Sequence, residues 1–395
     1  MAPQIRTEPI APTVEGEFQT GQVLTIVGGH FVHDTYPAFL APLLPLLIDK
    51  LSLSLAQAGA LQLFIQTPAL LNPFIGYMAD ILSVRYFVIL APAVTATAMS
   101  LLGIVPNYLA LAIVLFVAGA STAAFHAPAP AMVGRISGSR LGKGMSFFMA
   151  GGELGRAIGP LLAVWVVSWW SLDNFYRIML LGWAASLILY WRLHHIPARS
   201  DQRQDLRTVW PVARRLFVPM LAFLFPREFM LTGLAVYLPT FMDSQGASLW
   251  LAGAALSLWE LAGVAGVLFS GTFSDRVGRR VILLAATSSA SILMLLFLYV
   301  QGWLFVPILL ALGFTSLSTT PVMLAMAQEH LPNNRAMANG IFISLSFLIR
   351  PVSAFAIGLM GDYWGLHAAF LAAALISLLA IPAIFFLPKI EGKEI

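Results

Sequence analysis

Cysteine is absent from the 395 residues, and charge is scarce: Asp, Glu, Lys and Arg together make up only 10% of the chain. Without cysteine there is no disulfide framework and no implied oxidising compartment. The shortage of charge excludes more, because soluble chains carry about 25% charged residues and disordered ones need low hydrophobicity besides. Against it stands a hydrophobic content of 59%, above the soluble norm of about 45–50%. So few charges cannot cover so much apolar surface in water. A polytopic membrane protein is what remains. Enzyme signatures are also missing: there is no HExxH, no GxSxG and no Walker A sequence. A hydrolase or an ATP-driven machine is therefore unsupported, and neither enzymatic activity nor a cofactor is expected.

A hydrocarbon core of about 30 Å needs roughly 20 apolar residues per helix. Windows of that length give twelve expected spans: 21–48, 55–80, 86–104, 107–133, 144–170, 175–195, 216–242, 249–273, 280–300, 303–329, 338–362 and 366–388. Spans of this length are helices, since lipid leaves no partner for open backbone groups. Of the 22 Lys and Arg residues, only Lys50 and Arg177 fall on the side opposite the termini, and Arg156, Arg227 and Arg350 fall inside spans. The rest share the side of both termini, which the positive-inside rule makes cytoplasmic. The net charge of +4 thus marks topology, and no nucleic-acid partner is expected. Residues 1–20 are polar and lack the basic-then-apolar pattern of a cleaved signal, so a disordered cytoplasmic tail is expected there. The charged segment 196–215 reads as a cytoplasmic linker between six-helix bundles at 21–195 and 216–388, and 389–395 as a second tail.

A repeat supports the division. Gly76-Tyr-Met-Ala-Asp80, with Arg85 beyond, ends the second span, and Gly271-Thr-Phe-Ser-Asp275-Arg276-Val-Gly278-Arg279-Arg280 ends the eighth, an offset of 195 residues (76 to 271). Parallel repeats of six helices are one way transporters are built. The second copy matches in full the loop motif Gly-x-x-x-Asp-Arg-x-Gly-Arg-Arg/Lys of the major facilitator superfamily, and the chain resembles that family. In the first copy Ile81 replaces the arginine and Val84 the glycine. The resemblance implies two bundles related by a pseudo-twofold, alternating access, and a gating role for Gly76, Asp80, Arg85, Gly271, Asp275, Arg276, Gly278 and Arg279. A narrower resemblance is to the fosmidomycin-resistance group of bacterial drug/proton antiporters. It rests on His30-x-x-x-Asp34, Phe125-His126, Gly151-Gly152 with Gly159-Pro160-Leu161-Leu162, Gln328-Glu329-x-Leu331-Pro332, and Gly358-Leu359-x-x-Asp362. The group's histidine is followed directly by proline, whereas here Ala127 intervenes before Pro128. That resemblance implies a monomer in a bacterial inner membrane, exporting small organic molecules against protons.

Ionisable residues inside spans are costly and mark pathways. Asp34, Arg156, Arg227, Glu228, Glu260 and Arg350 each lie about 11–13 residues from a span end, or ~16–20 Å deep. The repeat offset carries Asp34 to position 229, beside Glu228, and Arg156 to 351, beside Arg350. Each half thus offers a carboxylate on its first helix and an arginine on its fifth. Arg156 and Arg350 are expected to bind substrate, because a guanidinium forks onto carboxylate or phosphonate oxygens. Glu153 and Arg156, spaced i, i+3, suit an intrahelical pair as well as a substrate role for Glu153. Arg227 and Glu228 point about 100° apart, so one of them would face the cavity, and Glu260 would neutralise Arg227. His30, His33 and Asp34 share one helix face. Asp34 with His30, and with Glu228 and Glu260, are expected to couple protons, since histidine titrates near neutrality. His33 and His126 are placed with the substrate groups. The same residues leave open anion uptake by symport, or divalent-metal export through His30, His33, Asp34 and His126; no resident metal is expected.

Overall fold

The computed structural model describes residues 17–71, 85–194, 210–330 and 335–388, and among these the regular structure is entirely helical. In the first half the helices are α1 (Thr20–Thr35), α2 (Leu40–Leu51), α3 (Leu55–Gln66), α4 (Arg85–Ser100), α5 (Tyr108–His126), α6 (Ala129–Ile136), α7 (Leu141–Trp170) and α8 (Met179–Leu193). In the second they are α9 (Trp210–Ser244), α10 (Leu249–Val277), α11 (Arg279–Tyr299), α12 (Phe305–Leu317), α13 (Thr319–His330), α14 (Arg335–Leu378) and α15 (Ala380–Phe386).

Among the described residues nine stretches are long and apolar enough to cross a membrane. The difference from twelve has local causes. The expected second span continues into 72–84, outside the described residues, as do Gly76 and Asp80 of the first loop motif. The expected sixth is the 15-residue α8, entered through a 3-10 turn at Phe175–Ile178. The expected eleventh and twelfth form one run, Ser344–Phe386, broken at Gly365, whose φ of 81° and ψ of 156° lie outside the helical region. Only glycine takes that conformation without strain. The terminal tails and the linker also fall largely outside the described residues. Helix α9 begins at Trp210, earlier than the apolar pattern indicates, with Pro211 in the first turn, where a missing N–H is tolerated.

Breaks within spans position the site. The first span stops at Thr35, passes through a 3-10 turn at Pro37–Phe39, and resumes as α2; Pro37 has no N–H to continue the ladder. The fourth span is interrupted at Ala127–Pro128, just after His126, and the tenth at Ser318. The fourth helix of each half is therefore interrupted within its expected span.

Helix α1 packs on α7 because a glycine stripe removes side chains from the seam. A Cβ on Gly155 would stand 2.4 Å from the Phe31 carbonyl oxygen, and one on Gly159 2.7 Å from that of Thr35. Close approach across small residues is a common way to join helices in lipid. Between the halves, α3 packs on α14, α7 on α10 and α2 on α9. At the end away from the start of α1, the Asp362 carboxylate accepts the Leu55 and Ala56 backbone N–H groups at 2.7 and 2.8 Å. The Tyr237 hydroxyl lies 2.8 Å from the Leu55 carbonyl and 3.0 Å from that of Ala354. These bonds close the far end. Large apolar side chains such as Leu109, Trp303 and Phe386 face outward and are exposed, as lipid contact requires.

Candidate substrate and proton site

Two charged clusters lie at mid-depth, one per half. In the first, Asp34 is ringed by three histidines. Asp34 Oδ1 is 2.9 Å from His33 Nδ1 and 3.4 Å from His126 Nε2, and Oδ2 is 3.2 Å from His30 Nε2. His30 Nε2 and His126 Nε2 are 3.2 Å apart. Each ring is tied at its other nitrogen: His30 Nδ1 to the Phe148 carbonyl at 2.8 Å, His126 Nδ1 to the Thr122 carbonyl at 3.0 Å, and His33 Nε2 to Thr95 Oγ1 at 3.1 Å. The stacked rings of Phe148 on His30 and Phe125 on His33 fix the planes further. His126, which sequence depth puts nearer the cytoplasm, is brought to Asp34 because α5 ends there. Gly152 makes the room, since a Cβ on it would stand 2.5 Å from His30 Nε2 and 2.9 Å from Asp34 Oδ2. One donor atom each from His30, Asp34 and His126 lies within 4.8 Å of the others, close enough to share a cation.

Arg156 reaches this cluster from α7. Its Nη1 is 3.9 Å from Asp34 Oδ2, and its Nη2 pairs with Glu153 on the same helix. The Arg156 side chain is 45% exposed, which leaves it accessible to a third partner.

The second cluster repeats the plan with different partners. Arg350 Nε is 3.4 Å from Glu228 Oε2, and this arginine is also 45% exposed. Arg227 and Glu228 are both buried, so neither lines an open cavity: Arg227 donates to Glu228 Oε1 at 2.9 Å, to Thr320 Oγ1 at 2.9 Å and to the Ser316 carbonyl at 3.3 Å. The last two partners flank the break in the tenth span, as His126 flanks the break in the fourth. Glu260 does not serve Arg227. It lies within electrostatic reach of Arg156 and Glu153 of the other half and of Arg350 of its own.

The loop motif after α10 is built around Arg279. Its Nη2 meets Asp275 Oδ1 at 2.5 Å and Glu329 Oε1 at 3.0 Å, and its Nε reaches Glu329 Oε2 at 3.4 Å. The same guanidinium holds Ser274 Oγ and the Gly271 carbonyl. Glu329, on α13, belongs in the sequence only to the pattern Gln328-Glu329-x-Leu331-Pro332, and its partner is visible only in the fold. Gly278, with φ 96°, makes the turn between α10 and α11. Arg276 is exposed, and Arg85 lies over the Tyr86 ring. Thr95 and Ser121 behind His33, and Asp362 at the far end, are further residues whose partners no spacing in the sequence discloses.

Comparison with known proteins agrees with this architecture. The chain is 25% identical to the fosmidomycin resistance protein of Escherichia coli over 99% of its own length and 98% of the relative's. It is 23% identical to the uncharacterized MFS-type transporter YfnC of Bacillus subtilis over 93% of each chain. Its fold matches a bacterial homologue of the human lysosomal transporter Spinster, in an inward-facing and occupied conformation, with a TM-score of 0.78 at 13% identity over 93% of this chain and 96% of that one. It also matches a D-xylose–proton symporter, with a TM-score of 0.72 at 15% identity over 96% of this chain and all of the other. The Major Facilitator Superfamily model matches residues 26–349, with a second match at 261–394. The chain is a multi-pass membrane transporter, not an enzyme, and belongs to the Major Facilitator Superfamily.

Proposed function

We propose that this transporter moves small organic anions across a bacterial inner membrane in exchange for protons, by alternating access. The observation that carries the reading is the placement of Arg156 and Arg350. One comes from each half, each is held on one side by carboxylates, and each leaves about half its surface open. An anion lying between them would be gripped by both halves at once, so binding would be felt by the rocking of one bundle against the other. The Asp362 and Tyr237 bonds join the halves at the far end, which favours approach to these arginines from the side of the termini. Export is supported by the resemblance to a fosmidomycin resistance protein, and fosmidomycin, a phosphonate, presents the oxygens a guanidinium fork prefers. Proton coupling is supported by the buried Asp34 with three histidines on its oxygens.

A second reading, uptake of the anion together with a proton, is favoured by Arg156 itself. An anion that draws this guanidinium from Asp34 and Glu153 leaves carboxylates short of positive charge, and they then recruit a proton in the same direction. Proteoliposomes loaded with fosmidomycin and subjected to a pH gradient separate the cases. Acid outside that expels the phosphonate supports exchange, and acid outside that draws it in supports symport. Movement of zinc or nickel with no effect of organic anions would overturn both.

A further inference from the structure

The hydrogen bonds around Asp34 have a fixed sense, and it determines where a proton can sit. A carbonyl oxygen only accepts. His30 and His126 each give their Nδ1 hydrogen to one, at Phe148 and Thr122. Their Nε2 atoms are therefore bare when the rings are neutral. Behind His33, Ser121 Oγ donates to the Ala91 carbonyl and Thr95 Oγ1 donates to Ser121 Oγ at 2.8 Å. The Thr95 hydrogen is thus spent, and Thr95 accepts from His33 Nε2. That leaves His33 Nδ1 bare as well. Three bare ring nitrogens then face a carboxylate that, ionised, also only accepts. Two shared protons resolve these contacts: one between His33 Nδ1 and Asp34 Oδ1, and one inside the triangle of His30 Nε2, His126 Nε2 and Asp34.

The two positions differ in access. His33 is fully buried behind Thr95 and Ser121, whereas the His126 side chain is 35% exposed. Resting on the proton-coupled reading above, we propose that the triangle holds the proton that is transported and that His126 is the group by which it enters and leaves. His33 is a positioning residue whose proton stays, locking the Asp34 carboxylate toward the triangle. Among the described residues the charged and titratable groups facing this site are His30, His33 and Asp34 on α1, His126 on α5, and Glu153 and Arg156 on α7. Glu260 on α10 acts on it through Arg156. Helix α4 contributes the Thr95 hydroxyl, and α8 packs Leu189 against Gly29.

Nitrogen-15 NMR of histidine-labelled full-length protein in lipid nanodiscs tests this without a substrate, with signals assigned from single His→Gln variants. Between about pH 5 and 8, where histidine normally titrates, the Nε2 signal of His126 is expected to move. The His33 signals should stay, with one proton on Nε2 and the other kept in the contact of Nδ1 with Asp34. Thr95→Val should release the His33 tautomer, and Thr95→Ser should restore it, an outcome that mere packing would not give. Titration of His33 with His126 silent, or no titration in any of the three, overturns the proposal. So does stoichiometric zinc binding that His126→Gln abolishes, because the triangle would then be a metal site. In proteoliposomes His126→Gln should lose pH-driven movement of fosmidomycin. If the natural sequence shows no pH-driven movement, the proton-coupled reading itself fails. If it does and His126→Gln matches it, only the role given to His126 fails.

Discussion

Arg350 Nε lies 3.4 Å from Glu228 Oε2, as Arg156 Nη1 lies 3.9 Å from Asp34 Oδ2 in the other half. The fifth helix of each bundle presents an arginine to the carboxylate of its own first helix. The surroundings of this shared pair differ between the two halves. Histidines surround Asp34, whereas a second arginine, Arg227, is buried against Glu228. The first cluster thus sets imidazoles around its carboxylate and the second a guanidinium, which never deprotonates.

Stability should therefore respond to Arg227. Removing one member of a buried ion pair leaves the other charge uncompensated, at a cost of about 3–5 kcal/mol. Arg227→Met should lower the thermal unfolding temperature in detergent markedly. Combining it with Glu228→Leu should recover part of the loss, since apolar replacement of both partners is often neutral. A single variant as stable as the parent would show that the pair is solvated.

The Arg279 node should act on turnover. Glu329 takes two nitrogens of the guanidinium and Asp275 takes one, and Asp275 is the more exposed carboxylate. Exposed pairs contribute about 0–1 kcal/mol. Glu329→Gln is thus expected to slow transport more than Asp275→Asn, with substrate affinity near the parent value in both. Initial rates in proteoliposomes alongside equilibrium binding check this, and a fall in affinity with unchanged rate would place the node at the substrate instead.

Asp362 should hold the far end shut. Its carboxylate sits on the first turn of α3, where free N–H groups and the helix dipole favour negative charge. Charge-assisted bonds of this kind contribute about 1.5–3 kcal/mol. Asp362→Asn should shift the population toward a conformation open at that end. The absence of cysteine makes the measurement clean: spin labels on Tyr176→Cys and Gln245→Cys report the separation of the halves. An unchanged distance distribution in the Asp362→Asn variant would mean that Tyr237 and helix packing close this end unaided.

Much of this architecture is legible in the sequence because lipid imposes it. Long apolar stretches must be helices, and a charge within one must have a reason to be there, so Asp34, Arg156, Glu228 and Arg350 stand out directly. What does not show is which charge meets which. Arg227 and Glu228 are neighbours in sequence and point apart on an ideal helix, yet the long arginine side chain bends back to Glu228 while also reaching Thr320 on α13. His126 looks too shallow until α5 ends beside α1. Asp362 and Leu55 are 307 residues apart, and nothing local in either segment announces the other. Partners separated by hundreds of residues follow from tertiary packing, which periodicity does not encode.

On the proposed anion exchange, charge selectivity should rest on Arg156 and Arg350 together. Both are half open while every carboxylate near them is more buried: Asp34 and Glu228 are nearly enclosed, and Glu153 is 17% exposed. An entering anion therefore meets guanidinium before carboxylate. Lysine in place of either arginine keeps the charge and loses the fork, since an ammonium is a point donor that cannot grip two oxygens in one plane. Arg156→Lys and Arg350→Lys should each weaken fosmidomycin binding by roughly tenfold, about 1.4 kcal/mol. The pair Arg156→Gln with Arg350→Gln should remove binding, because Glu153, Asp34 and Glu228 would then stand beside the site without these two counter-charges. Isothermal titration on purified protein reads each step. Normal affinity for the anion in the double glutamine variant would show that the arginines only neutralise the carboxylates around them, and that the substrate is recognised elsewhere.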